Sequence, residues 1–285
     1  MAFVVKRGSE WVAVVDGREE SPFPTIVLQS WLFSPDASRF AYVAAVNDRE
    51  AAVVIDGDVQ KPWAHDERTI GFTGGLIFSP DSKRLAYGVV QKSGFLLRKS
   101  AFTYIIDGVS QRPYDGLCSG WERYPNWAKF PDYGKVSTRP EPLVFSPDSN
   151  HFAYAVVAGS RRLIVQDGTE MSGHAEIAPM PLTFSPSSDR LAYVTGSGGR
   201  QFAVINWGQL AAHDGVEVFR PSFSDDSRHV AYVAKDAGIY KLCVDSDVCA
   251  IEPPQLGARL VWDDSDHLHT ITFDDRVVKC QRFEV

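Results

Sequence analysis

A ten-residue segment recurs along this chain and constrains its fold more than any other feature. FSPDASRFAY begins at Phe33, FSPDSKRLAY at Phe78, FSPDSNHFAY at Phe145 and FSPSSDRLAY at Phe184. A weaker copy, FSDDSRHVAY, begins at Phe223, and a sixth, WDDSDHLHTI, at Trp262. From Phe145 onward the copies stand 39 residues apart, whereas Phe33 and Phe78 are 45 apart and Phe78 and Phe145 are 67 apart. A period of this size marks stacked supersecondary units that bury their faces against one another. The longest step holds one unit plus an insertion of 28 residues beyond the 39-residue period.

Each unit decodes into four antiparallel strands. The residues leading to Phe-Ser-Pro read as a first strand. Ser-Pro-Asp-Ser is turn chemistry, because proline presets φ and the Ser and Asp side chains bond local backbone groups. RLAYGVV and its equivalents form a second strand, and a polar loop follows. A third strand comes next: Ala51–Gly57, Thr103–Gly108, Arg162–Gly168 and Ala203–Gly208. Asp-Gly ends most of these and signals a tight hairpin into a looser fourth strand. No segment carries a capped helix start with a 3.6-residue apolar period. Four strands per unit of about 40 residues predict an all-β fold, a β-propeller of four-stranded antiparallel blades spanning 1–285 as one domain. The small Ala41, Ala86, Ala153, Ala192 and Ala231 let neighbouring blades approach closely. The N-terminal segment supplies a second, third and fourth strand, and the C-terminal segment a first, second and third. Seven blades, two of them partial and meeting at the seam, are favoured. Six, with the ends sharing a blade, is the alternative.

The FSPD-x-x-R-L-A-Y decamer followed by a VVDG-type strand resembles the TolB-type, WD-repeat-like propeller family of bacteria, over nearly the whole chain from Ala2 to about Val285. That resemblance implies the propeller fold. For function it implies several classes at once: protein-binding platforms, domains appended to peptidases, and occasional lyases. Some propellers resembling this one use a central His-rich metal site, but no matching histidines recur on the first strands here. A fold by itself does not assign an activity.

Composition excludes other classes. With 44% hydrophobic and 23% charged residues the chain is too apolar to be disordered. No apolar run reaches the roughly 18 residues that cross a bilayer, so no membrane partner is expected. A net charge of −7 argues against nucleic acid as a partner. MAFVVKRGSEW lacks a signal peptide's apolar core and reads as a strand, which points to a cytoplasmic protein. Cys118, Cys243, Cys249 and Cys280 form no CxxC pair, so no zinc site is expected. If Asp245–Asp247 is a hairpin turn, Cys243 and Cys249 face each other across it. A disulfide is then geometrically open, and reduced thiols are favoured.

The loops sort by charge. The turns after the first and third strands collect acid, including Asp36, Asp81, Asp148, Asp226, Asp56, Asp107 and Asp167. The loops between second and third strands collect base: Lys6, Arg7, Arg49, Lys92, Arg98, Lys99, Arg161, Arg162, Arg200, Lys235 and Arg276. The insertion at 118–142 belongs with this basic face and carries Trp121, Arg123, Tyr124, Trp127, Lys129, Phe130 and Tyr133. The loop QKSGFLLRKSAF (91–102) on the same blade is enlarged as well. Aromatic residues with arginine are the composition of interface anchors. The expected ligand- or partner-binding residues are therefore Trp121, Arg123, Tyr124, Trp127, Lys129, Tyr133, Arg98, Lys99, Arg161, Arg162 and Arg200.

Catalytic constellations are weak. There is no GxSxG elbow, and GSGG (Gly196–Gly199) is a hairpin loop that precedes no helix. His65, His174, His213 and Tyr114 share a slot just after the third strand and read as structural. His151 and His229 read as packing residues. His267 and His269, with Asp263, Asp264 and Asp266 before them, sit in the ordinary first-turn position rather than in a metal centre. No cofactor and no catalytic residue is expected. The favoured reading is a non-catalytic platform for a protein partner or an anionic ligand. The alternative is a stand-alone lyase or hydrolase acting on an anionic small molecule or acidic sugar.

Overall fold

The computed structural model describes residues 1–64, 75–93, 99–117, 143–171, 176–177, 182–216, 221–254, 260–274 and 277–285. Among them every regular element is a β-strand, every ladder is antiparallel, and the strands form seven separate sheets.

The decamer's chemistry explains each sheet's start. Ala37 N donates to Ser34 O at 2.8 Å, closing a turn with Pro35 at its second position. Ser34 Oγ donates to Asp36 Oδ1 at 2.7 Å and accepts from Arg39 N at 2.9 Å, so one hydroxyl ties the turn to the next strand. The same contacts recur at Ser79, Ser146 and Ser224. Asp16-Gly17, Asp56-Gly57, Asp107-Gly108 and Asp167-Gly168 all have positive φ at both residues, the hairpin turn that suits twisted strands. In the fifth sheet Asn206-Trp207 takes their place.

The chain divides into two compact units, Met1–Gly116 and Leu117–Val285. The first holds three sheets. Ala2–Arg7, Glu10–Val15 and Arg18–Phe23 form the first. Thr25–Phe33, Phe40–Ala45, Glu50–Ile55 and Asp58–Val59 form the second, where Trp63–Ala64 also pairs with the third strand. Ile77–Phe78, Leu85–Ser93, Lys99–Ile106 and Val109–Ser110 form the third. The ladder of that third sheet runs on to Ser93 opposite Lys99, so most of the loop expected at 91–102 is a longer hairpin. Phe95, Leu96, Leu97 and Arg98 lie outside the described residues.

The fourth sheet comprises Gly116–Leu117, Leu143–Phe145, Phe152–Ala158, Arg161–Gln166 and Thr169–Glu170. The fifth comprises Glu176–Ile177, Thr183–Phe184, Leu191–Ser197, Arg200–Ile205 and Gly208–Gln209. The sixth comprises Gly215–Val216, Ser222–Phe223, Val230–Asp236, Ile239–Val244 and Asp247–Ile251. Val261–Trp262, His267–Asp274 and Val277–Glu284 form the seventh. In the fourth to sixth sheets two short pieces share the first-strand position beside the second strand. The insertion at 118–142 lies outside the described residues, but its flanks are those two pieces of the fourth sheet.

Alternation along the second strand stacks the sheets within each unit. Ala41 and Val43 pack with Leu85 and Tyr87 of the third sheet, while Phe40 and Tyr42 pack with Ala13 and Phe23 of the first. In the second unit Ala153 meets Tyr193, Ala192 meets Phe223 and Val230, and Ala231 meets Leu268. Each of these alanines is fully buried, so the small side chain sets the sheet spacing. Tyr42, Tyr87, Tyr154, Tyr193 and Tyr232 are the largest side chains of this core to recur at one repeat position. Neighbouring turns are also tied directly: Asp36 N donates to Ser82 Oγ, Asp148 N to Ser188 Oγ and Ser187 N to Ser227 Oγ.

Candidate functional site

Each sheet has two ends, and the described residues put charges of both signs on them. The end built from the decamer turn and the Asp-Gly turn carries most of the acids, but they are committed to the fold. Asp56 Oδ1 accepts from Phe40 N at 2.8 Å, and Asp107, Asp167 and Asp245 cap the second strand in the same way. Their other oxygens bind Arg39, Arg84, His151 and His229 at 2.7–2.9 Å. This corrects the view of His151 and His229 as packing residues: they stand where other repeats have arginine and bond the carboxylate. Arg39, Arg84, Arg190 and Arg228 lie at this acidic end too, so the sorting by sign is partial. Hydroxyl and amide donors, Ser34 and Ser146 foremost, hold Asp36 and Asp148 well below the usual carboxylate range.

At the opposite end, Arg161 and Arg162 open the third strand of the fourth sheet, facing Ala158 and Val157 across a turn at Gly159-Ser160. Arg161 is exposed and Arg162 half-buried. Arg200 holds the same place in the fifth sheet, after Gly198-Gly199. Its guanidinium is engaged, however. Nη1 lies 2.8 Å from Asp214, Nη2 lies 3.8 Å from Asp236, and Nη2 also donates to Ala212 O. Arg200 is therefore neutralised where it stands and adds no net positive charge to that end. Lys99 opens the third strand of the third sheet, with its side chain outside the described residues. Trp121, Arg123, Tyr124, Trp127, Lys129, Tyr133 and Arg98 also lie outside them.

A polar cluster between the fifth and sixth sheets was not expected. Tyr114 and His213 do share the slot opposite the third strand, but its occupant in the second sheet is Trp63, opposite Ala51, and not His65. Trp63, Tyr114 and His213 each stand 7 residues after the first residue of the turn, Asp56, Asp107 and Asn206, so counting from that turn finds the right residue. His65 and His174 lie outside the described residues. His213 is 4% exposed, and its Nδ1 lies 2.8 Å from Asp236 Oδ2. Asp236 also accepts from Asp214 N at 2.9 Å and from Lys241 Nζ at 3.0 Å. These bonds, that of His213 first, draw its carboxyl far below the usual range. Nε2 of His213 faces Tyr232 Oη at 3.4 Å and Cys243 Sγ at 3.9 Å. Burial pushes the Cys243 thiol up to about 11. The signal was available in the repeat. Opposite the recurring tyrosine, the third strand carries Val54, Ile105, Val165 and Val204, then Cys243.

The cysteine expectation is also corrected. Cys243 pairs with Val248, and Cys249 with Leu242, so the two thiols point to opposite faces of the sheet. Both are free. In the seventh sheet, Asp263, Asp264, His267, Arg282, Phe283 and Glu284 line a shallow depression. Each histidine there is taken by its own carboxylate, His267 Nδ1 by Asp264 at 2.8 Å and His269 Nδ1 by Asp263 at 2.9 Å. Among the described residues, no three His, Cys, Asp or Glu side chains are grouped to hold a metal ion.

No family model and no curated protein matches the sequence. Among solved structures, the chain is similar to TolB from Acinetobacter baumannii, with 12% identity and a TM-score of 0.39 over 99% of this chain and 76% of that one. It is similar to a eukaryotic initiation factor, with 9% identity and a TM-score of 0.41 over 99% and 82%. It is similar to a 6-phosphogluconolactonase-like protein from Bacteroides uniformis, with 14% identity and a TM-score of 0.37 over 97% and 92%. At such TM-scores the description of the fold stands on the sheets themselves.

Proposed function

We propose that the seven sheets are the blades of one β-propeller and that the chain is a non-catalytic platform, binding a protein partner or an anionic ligand at the fourth sheet. The carrying observation is that the aromatic and basic segment 118–142 falls between Gly116–Leu117 and Leu143–Phe145, the two pieces of that sheet's first-strand position. In the fifth and sixth sheets the strand piece equivalent to Gly116–Leu117 pairs at the hairpin tip, Glu176 opposite Gly196 and Gly215 opposite Lys235. The same register in the fourth sheet would bring Gly116–Leu117, the residues before segment 118–142, to the end that carries Arg161 and Arg162. Rigid scaffolds commonly carry recognition on such interruptions. The acids at the other end are consumed by turn structure, which leaves that end less suited to a partner. A thiol, an imidazole and a carboxylate do line up as Cys243, His213 and Asp236. With Cys243 1% and His213 4% exposed, no substrate reaches them, which favours binding over catalysis.

The test is affinity capture from the source cells, with and without deletion of Gly120–Arg139 combined with serine at Arg98, Lys99, Arg161 and Arg162. Capture is expected to be lost while the far-ultraviolet spectrum and unfolding midpoint are kept. Capture that persists in the folded variant overturns the reading.

A further inference from the structure

Within the second unit, one inter-sheet contact departs from the repeat at two positions at once. The slot of His213 is filled by Phe23, Trp63 and Tyr114 in other sheets, all of them buried. The place of Cys243 is filled by valine or isoleucine elsewhere. Both apolar positions carry metal-ligating side chains only here among the described residues. They come from different sheets, and the repeat's tyrosine, Tyr232, stands directly opposite Cys243.

With Nδ1–H given to Asp236, Nε2 offers one lone pair to the phenol at 3.4 Å and the thiol at 3.9 Å; both are long contacts, and the phenol and the thiol also bond each other. A cation about 2.0 Å from an imidazole nitrogen and about 2.3 Å from a sulfur holds them roughly 3.5 Å apart at the tetrahedral angle and up to roughly 4.3 Å apart as the angle opens, a range that includes the 3.9 Å here. Nitrogen and oxygen ligands at those bond lengths stand roughly 3.3 Å apart at tetrahedral angles. A carboxylate on the far ring nitrogen is the usual support of a ligating histidine, and Asp236 is held there by Asp214 N and Lys241.

We propose that His213 Nε2, Cys243 Sγ and Tyr232 Oη form a binding site for one thiophilic metal ion, of which zinc is the representative, with Asp236 orienting the imidazole. Binding displaces the thiol proton to solvent and leaves a neutral imidazole and a thiolate on the ion. The site lies between packed sheets, so its effect is to clamp the fifth sheet to the sixth.

The experiment uses the full chain with Cys118, Cys249 and Cys280 changed to serine, unfolded in denaturant with chelator and refolded with graded cobalt(II). One cobalt per chain is expected, with a thiolate-to-cobalt charge-transfer band that zinc abolishes by displacement. His213→Phe and Cys243→Val restore residues the other repeats already use, so these variants keep the fold. Each is expected to lose the band, and zinc is expected to raise the melting temperature of the parent but of neither variant. Asp236→Asn is expected to weaken cobalt binding about 10- to 100-fold. Absence of the band in the parent, or a band undiminished in Cys243→Val, overturns the proposal and leaves a loose thiol–imidazole contact.

Discussion

Ser188→Ala tests whether neighbouring repeats are fastened turn to turn. Ser188 is 3% exposed, has a φ of 70°, and accepts the Asp148 amide at 3.0 Å from 40 residues away. Alanine keeps the backbone shape, since Ala37 holds the equivalent position at a φ of 58°. The strain of a positive φ therefore cancels between wild type and variant, and the change isolates one hydrogen bond. A neutral bond contributes about 0.5–1.5 kcal/mol net, and a donor left buried without a partner costs about 1–3 kcal/mol. The Asp148 amide is part-buried, so the expected loss is about 1–2 kcal/mol. Urea unfolding should register it as a lower midpoint at unchanged slope. Amide exchange at Asp148 should quicken roughly 5- to 30-fold, the factor matching that energy. Ala37→Ser is the control. No decamer precedes that turn, so the added hydroxyl meets no amide from an earlier repeat, and the change should stay within about 0.5 kcal/mol. An unchanged midpoint and unchanged Asp148 exchange in Ser188→Ala would refute the fastening.

Other consequences are open to measurement. Asp36, Asp148 and Asp226 have folded pKa values below their unfolded ones, chiefly through Ser34, Ser146 and the Arg228 amide respectively. Their stabilisation is complete above about pH 4 and drains away as pH falls toward the folded values. Asparagine at all three positions should flatten the stability profile below about pH 4, and parallel profiles would contradict this. Gly88→Ala should destabilise by about 1–3 kcal/mol, because a Cβ there would meet the Phe102 ring at 2.9 Å. Phe102→Leu in the same chain should recover part of that loss in thermal unfolding. Under native conditions maleimide should label the exposed Cys249 and Cys280 within minutes but reach Cys243 only on unfolding. Prompt labelling of Cys243 would show that its sheet contact opens.

What the sequence disclosed was local chemistry repeated many times. Pro35 presets a turn, Asp56-Gly57 closes a hairpin, and Ala41-Tyr42 alternates between two faces. Each needs only residues a few positions apart, and several copies made each pattern legible. The partners of Arg200 were not legible. Asp214 and Asp236 lie 14 and 36 residues on, the second in another sheet, and nothing in GSGGR announces them. The two-piece first strands were hidden as well, because pieces of 2 or 3 residues carry no periodicity. A bulge between Val27 and Leu32 shows the same tendency in the second sheet, where Ser30 Oγ takes the Val43 amide that the ladder leaves over.

A repeat protein offers its own internal control for reading function. At most positions the sheets agree, and agreement reports what packing requires: alanine where sheets touch, tyrosine in the gap beyond it, serine where turns meet. Function has to be sought where one sheet differs and packing gives no cause. Arg190 illustrates a departure that packing explains. Its equivalents Arg39 and Arg84 bind an aspartate; Asn206 replaces that aspartate, and Arg190 Nη1 donates to the Ser227 and Arg228 carbonyls of the next turn, as Arg39 Nη1 does to Lys83 O. His213 and Cys243 illustrate the other kind. Valine or isoleucine fills the place of Cys243 in the second to fifth sheets, and an aromatic residue fills that of His213 in the first three, so packing alone does not call for a thiol or an imidazole there. Two such departures facing one another across a single contact, with Asp236 behind the imidazole, identify the place where this chain's chemistry is specific to itself.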